Sequence, residues 1–334
     1  MTRPLIAITM GDPAGIGPEI VVRALARREA ASTARCVVYG DARVIARAVD
    51  LQSLDVEVRS IAGPREVSLD KGCIHVVDLH NADPARFDPG KISAYCGRAA
   101  WEFVEAAAAA ALAGEVDAID TAPVNKEALR EAGVPYIGHT EMLAGLSGAR
   151  DPLTMFETLG LRVFFLTRHV ALKDVPRLVT RERLLDYFRR CIDSLARLGA
   201  GAGELAVAGL NPHCGEHGLF GDEELSVIAP AVEEARAAGL SVTGPIGADS
   251  VFHLARTGRY AAVLSLYHDQ GHIAAKTLDF DRTVSLTLGL PFLRTSVDHG
   301  TAFDIAWEGR ASSIGMEESI AVAERYAPAW AASR

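Results

Sequence analysis

Three apolar runs in this chain each end by delivering a histidine: RVFFLTRH at His169, LAVAGLNPH at His213 and AVLSLYH at His268. Three neutral imidazoles with one position left open form the donor set of a catalytic metal site, not a closed structural one. Ligands of parallel α/β sheets bind beyond the carboxyl ends of the strands, so residues this far apart in sequence can converge there. Any one of the three alone reads as a strand cap or a loop hydrogen bond; their recurrence favours a divalent ion. Ligand type favours Zn²⁺, Co²⁺ or Ni²⁺, with Mg²⁺ or Mn²⁺ retaining waters still open. Asp269, directly after His268, can orient an imidazole through its other ring nitrogen. His217 and His272 stand four positions beyond two of the proposed ligands, but glycines interrupt both segments and they are left out of the donor set.

Two glycine-rich segments offer a second kind of chemistry. MGDPAGIGPEI, residues 10–20, follows a strand and opens a helix, as a phosphate-cradling turn would. It is not the dinucleotide fingerprint GxGxxG. Gly15 and Gly17 permit close backbone approach and Pro18 suits a first helical turn, so a tight turn without a ligand explains the loop equally well. Near the other end, SVDHGTAFDIAWEGRASS (296–313) holds His299, Gly300 and Thr301, then Asp304, whose carboxylate could accept hydrogen bonds from ribose hydroxyls. Asp249, in the loop GPIGADSVF, is the candidate for taking a proton, with a helix N-cap as the plain alternative.

The elements that must position these groups alternate in a βα rhythm: LIAITM then PEIVVRALAR, CVVYG then DARVIARAV, VDAIDTAP then NKEALREAG. That is the pattern of an α/β fold with a mainly parallel sheet, and 334 residues suit two α/β lobes. AAAAAALAG, residues 106–114, continues the helix opened by GRAAWEFVEA. Apolar residues at 49% and charged residues at 23% describe an ordinary globular protein. A net charge of -9, with the basic residues scattered, speaks against nucleic acid and requires a local basic pocket for any anionic substrate. No apolar run reaches membrane-span length, and MTRPLIAITM enters a strand without a signal-peptide pattern, so a cytoplasmic protein away from membranes is expected. Five cysteines without a CxxC pair suit reduced thiols.

Taken together, MGDPAGIGPEI, TAPVNKEAL, GHTE, GLNPHCGE, YHDQGH and LTLGLPFLRTSVDHGTAFDIA, spread in this order over residues 10–306, resemble the 4-hydroxythreonine-4-phosphate dehydrogenase family of pyridoxal phosphate synthesis. The resemblance covers nearly the whole chain. It implies an isocitrate/isopropylmalate dehydrogenase-like fold with the active-site cleft between two lobes, the first approximately 1–125 plus 290–334 and the second 126–289. It implies NAD as cofactor, held by the first and last loops, and a homodimer whose metal site, His169, His213 and His268, is shared between subunits. Substrate contacts carried over from the family are His139, Thr140, Lys276, Ser285 and Arg294, where Lys276 and Arg294 supply the cations a phosphate needs. Two positions depart from the family pattern: Ser285 stands where an asparagine is usual, and Trp307 where a small residue is common.

The implied reaction is metal-dependent, NAD-linked oxidation of the 3-hydroxyl of a 4-phosphorylated hydroxy acid, followed by decarboxylation. MGDPAGIGPEIVV, GDARVI, TAPVNKEAL and YHDQGH look closer to the arm that oxidises 4-phospho-D-threonate or 4-phospho-D-erythronate in sugar-acid catabolism. A third arm acts on cis-dihydrodiol carboxylates but has lost much of the GHTE region, which is present here. Phosphate acyltransferases share the broad fold without needing a histidine trio, and a non-catalytic phosphosugar-acid sensor would keep the cleft alone.

Overall fold

The structure, a computed structural model, describes residues 3–28, 34–68 and 72–333. Within it the chain forms two compact units, one running to Pro152 and resuming at Leu290, the other Leu153–Gly289.

In chain order the first unit contains β1 (Leu5–Thr9), α1 (Gly17–Arg28), β2 (Arg35–Gly40), α2 (Ala42–Leu51), β3 (Glu57–Ile61), β4 (Cys73–Asp78), α3 (Ala94–Leu112), β5 (Ala118–Thr121), α4 (Lys126–Glu131) and α5 (His139–Ser147). The second contains β6 (Leu153–Thr158), β7 (Leu161–Phe165), α6 (Val175–Leu178), α7 (Arg181–Arg197), β8 (Leu205–Ala208), α8 (Ala229–Ala237), β9 (Val242–Ile246), α9 (Val251–Arg256), β10 (Ala262–Ser265), α10 (His268–Leu278) and β11 (Val284–Leu288). β12 (Leu293–Val297) and α11 (Ile314–Ala332) return to the first unit.

In the first unit the strands run β3-β4-β2-β1-β5-β12, every pair parallel. β1 is buried at all its residues, as a parallel strand covered on both faces must be. Side chains close the helix starts: Asp41 accepts from the Arg43 N–H, and Asn125 from those of Glu127 and Ala128. The alanine run makes one wall of α3, burying Ala107, Ala108, Ala110 and Ala111. Earlier in that helix Gly97 lies so close to the Ala128 carbonyl that a Cβ would collide with it. α4 and α5 therefore pack on α3, which moves the break between the units from the expected 125/126 to 152/153.

The second unit is ordered β11-β6-β7-β10-β8-β9, with β7, β10, β8 and β9 parallel and β11-β6-β7 antiparallel. The hairpin turns at Leu159 and Gly160, both at positive φ. Its core gathers Phe156, Val163, Phe165, Ala206, Val251 and Val263. Each aromatic side chain so buried stabilises the unit by roughly 1.5–3 kcal/mol. EELSVIAPAVEEARAAG reads from sequence as one helix, but its first part, Glu224–Ile228, is a π-helical turn leading into α8.

Candidate active site

β7 and β10 pair in parallel with Ser265 opposite Phe165, and the pairing continues past the strand ends. The Leu166 N–H donates to the Ser265 carbonyl at 2.9 Å and the Thr167 hydroxyl to the Leu266 carbonyl at 2.7 Å. Held side by side to that point, the two chains place His169 and His268 together, with ring centroids 5.9 Å apart. Arg168, Val170, Leu172, Val175, Tyr267 and Asp269 line the same pocket, a cavity of about 350 Å³.

The rest of HDQGH fixes the His268 ring. Asp269 Oδ1 lies 2.6 Å from His268 Nδ1, so the ring donates there through Nδ1. His272, one helical turn on, stacks on His268 with centroids 3.6 Å apart and planes at 11°. His272 is in turn held between Phe156 and Phe165, each at 4.5 Å. Gln270 is buried and bridges two strands: its Oε1 accepts from the Leu266 N–H at 2.7 Å and its Nε2 donates to the Gly209 carbonyl at 2.7 Å. Gly271 has no room for a Cβ, which would lie 2.5 Å from Phe165 and 2.7 Å from the Ser265 hydroxyl.

His213 is presented differently. Beyond β8, residues His213 to His217 all take positive φ, between 45° and 79°, a left-handed turn with four non-glycine residues. The buried Glu224 carboxylate holds its base, accepting from the Leu210 and Asn211 N–H groups at 2.7 Å each and from the Asn211 amide at 2.9 Å. The His213 side chain is 66% exposed, with Nδ1 3.2 Å from Glu216. Among the described residues of this single chain no three His, Cys, Asp or Glu side chains gather closely enough to hold an ion. The expected trio is thus represented within one chain by the pair His169 and His268. Asp249 is exposed beside the His213 turn, its charge raising the pKa of Cys214 after burial and Glu224.

In the first unit the opening and closing loops meet. The Ile16 N–H donates to the Thr301 carbonyl at 3.0 Å, the Trp307 indole N–H to the Pro13 carbonyl at 2.9 Å, and Glu19 accepts from the Trp307 and Gly309 N–H groups. Packing accounts for both glycines of the first loop: a Cβ on Gly15 would lie 2.9 Å from Thr301, and one on Gly17 would strike the Met10 carbonyl. Gly300 faces open space, as a backbone approached by a ligand should. His299, with Nδ1 3.0 Å from the Gly300 carbonyl, and Asp304 are exposed beside it.

The chain shows likeness to known proteins along nearly its whole length. The model of the family described as pyridoxal phosphate biosynthetic protein PdxA matches residues 32–323. A Clostridium botulinum protein provisionally named D-threonate 4-phosphate dehydrogenase is 55% identical over 326 residues, covering 98% of each chain. The chain belongs to the PdxA family. The solved 4-hydroxythreonine-4-phosphate dehydrogenase of Klebsiella pneumoniae superposes with a TM-score of 0.89 at 44% identity, over 97% of this chain and 100% of that one. A terephthalate 1,2-cis-dihydrodiol dehydrogenase from Burkholderia xenovorans superposes with a TM-score of 0.66 at 29% identity, over 97% and 98%. This PdxA-family chain is a dehydrogenase.

The substrate contacts expected from the family fall in both units. In the first, Arg294 on β12 is 4% exposed and donates to the Thr121 hydroxyl at 2.6 Å. Burial lowers its pKa to about 10, opposed by Asp120, Asp298 and Glu141, so it stays cationic at neutral pH. His139 starts α5, followed by the half-buried Thr140. Burial first, then the Arg294 charge, hold the His139 imidazole well below its ordinary pKa, and its buried Nε2 has no hydrogen-bond partner. A neutral imidazole with an unused buried nitrogen beside a cation suits an incoming polar ligand. In the second unit Lys276 lies on α10, its ammonium 5.0 Å over the Phe280 ring, and Ser285 sits half-buried on β11.

Other residues around these positions owe their partners to the fold and not to any sequence pattern. Gln270 and His272 lay within a motif already noted, but a bridge between nonlocal strands leaves no periodic trace. Glu224 carried no signal at all. Asp12, inside the first loop, is 1% exposed, and burial raises its carboxyl to about 6 against partial relief from the Ala14 and Asn125 N–H groups.

Proposed function

We propose that this chain oxidises the 3-hydroxyl of a 4-phosphorylated hydroxy acid with NAD and releases the β-carboxyl as carbon dioxide. The observation that carries it is the His169 and His268 pair at the carboxyl ends of β7 and β10, in a chain of a dehydrogenase family. Two substrates are in view, and the 55% identity to a protein named for D-threonate 4-phosphate favours that acid over 4-hydroxythreonine-4-phosphate. 4-Phospho-D-erythronate is the close alternative.

His169 and His268 fit two of the donors of a divalent ion, since their ring centroids lie 5.9 Å apart and Asp269 engages Nδ1 of His268, which would leave Nε2 as its donor atom. The third donor is the partner subunit's His213 in a homodimer, which suits the exposure of that side chain. Bound there, Zn²⁺ or a similar ion would supply Lewis acidity to the hydroxyl being oxidised. Around it the chain's own groups divide the work. Arg294 and Lys276 hold the phosphate, with His139, Thr140 and Ser285 donating or accepting polar contacts. NAD⁺, when bound, would supply the acceptor for the C3 hydride, and Asp249 of the copy that lends His213 takes the hydroxyl proton. The residues that would hold the nicotinamide nucleotide are those of the joined first and last loops: Gly300, His299 and Asp304, on a backbone built by Gly15, Gly17 and Thr301.

NADH release measured with 4-phospho-D-threonate, 4-phospho-D-erythronate and 4-phosphohydroxythreonine tests this reading. Turnover of at least one acid is expected, lost on chelation and restored by Zn²⁺, with H268A and H169A each lowering kcat/KM by 10²-fold or more, on the order of 3 kcal/mol. Full activity in chelator would remove the metal from the proposal.

A further inference from the structure

Arg168 sits one residue before His169 and lines the same cavity as His169, His268 and Asp269. The continued pairing of β7 with β10 fixes its backbone, through the Thr167 hydroxyl bond to Leu266, and its Nη1 donates to the Thr154 hydroxyl on β6. That neutral acceptor steers the guanidinium without neutralising it. The one carboxylate in the cavity lining, Asp269, is bonded to His268, and among the described residues no carboxylate stands within ion-pairing distance of Arg168. A half-buried arginine in a cavity also lined by Val170, Leu172 and Val175, with a neutral hydroxyl as its side-chain partner, is a site for an anion that can accept hydrogen bonds from its remaining N–H groups.

Chemistry identifies the anion. In a 2,3-dihydroxy-4-phospho acid oxidised at C3, the carboxylate lies two carbons from the reacting atom, so it must fall close to the histidine pair. The phosphate lies on the opposite side of C3. We propose that Arg168 binds the substrate carboxylate and selects its class: it accepts an acid whose C2 carries a hydroxyl and disfavours one whose C2 carries an ammonium, because two cations would then crowd one carboxylate. This rests on the reaction proposed above and adds to it the residue that separates hydroxy acids from amino acids. Since the carboxylate is held both before and during hydride transfer, Arg168 acts on KM more than on kcat.

The test compares wild type, R168Q and R168K as full chains of matched melting temperature, using 4-phospho-D-threonate, 4-phosphohydroxythreonine and unphosphorylated D-threonate. R168Q is expected to raise KM for 4-phospho-D-threonate about tenfold or more, with a smaller fall in kcat, and to weaken calorimetric binding of the acid without NAD by a similar factor. The preference for hydroxy over amino acid should drop by about tenfold, R168K should recover part of it, and zinc affinity by chelator competition should not move. An R168Q enzyme with unchanged KM and unchanged preference overturns the proposal, as does an effect confined to phosphorylated acids, which would assign Arg168 to the phosphate. A shift in zinc affinity overturns it too, by making the histidines the route of action. Wild type that neither binds nor oxidises any of the three acids overturns the proposed reaction and this assignment together, whereas an active wild type with an indifferent R168Q removes Arg168 alone.

Discussion

Within HDQGH each residue has a separate physical task. His268 presents a ring nitrogen, Asp269 holds the opposite one, Gln270 ties β10 to the end of β8, Gly271 allows α10 to press on β7, and His272 backs the ring against two phenylalanines. Asp12 poses the opposite case, a carboxyl whose burial opposes stability. Its folded pKa, raised from 3.8 to about 6, makes its contribution to stability fully present below pH 3.8 and lost as pH climbs through 6. Asp12→Asn should therefore stabilise the fold by about 1–3 kcal/mol at pH 8, with the gain vanishing near pH 4. Thermal melting of both proteins across that range measures it, and a pH-independent difference would show that Asp12 does not titrate as its burial requires.

At the scale of elements, two devices set the candidate site. The first is the β7 and β10 register, which carries Arg168 and His169 alongside His268. The second is the left-handed turn of His213 to His217, a conformation costing roughly 1–2 kcal/mol per non-glycine residue. Glu224 offsets part of that cost by collecting the N–H groups at the base of the turn. Glu224→Ala leaves two part-buried N–H groups without their acceptor and should destabilise the unit by roughly 1–3 kcal/mol, while Glu224→Gln, keeping one oxygen, should lose much less. Urea unfolding gives the energies, and amide exchange across 209–217 should quicken in E224A. Native protection there in the alanine variant would dissociate Glu224 from the turn.

For the whole molecule, the incomplete donor set and the surface of the second unit point the same way. Leu172, Leu219, Ile273 and Phe280, 63–71% exposed there, are apolar side chains that the proposed homodimer would cover. Sedimentation should find twice the chain mass, and Leu219→Asp combined with Ile273→Asp should shift it toward one chain and weaken zinc binding by tenfold or more, about 1.4 kcal/mol. Monomeric wild type with full zinc affinity would contradict a shared site. Among the described residues no helix is long and apolar enough to cross a membrane.

The α/β class, the βα alternation and the family resemblance are legible in residue order, because burial patterns, turn chemistry and motifs are local properties, whereas the π-helical turn before α8 is not. The pairing of His169 with His268 is not, since it depends on β7 lying beside β10, which are far apart in the chain. The same holds for Gln270, Glu224 and the lone guanidinium of Arg168, each defined by neighbours from other strands. The break between the units moved to 152/153 for a similar cause, the absence of a side chain at Gly97 letting α4 lie against α3. Sequence by itself determined which groups are present and at the end of which strand; the folded sheet decided which of them stand within a few ångströms, because distance between strands is set by nonlocal hydrogen bonding that no periodicity encodes.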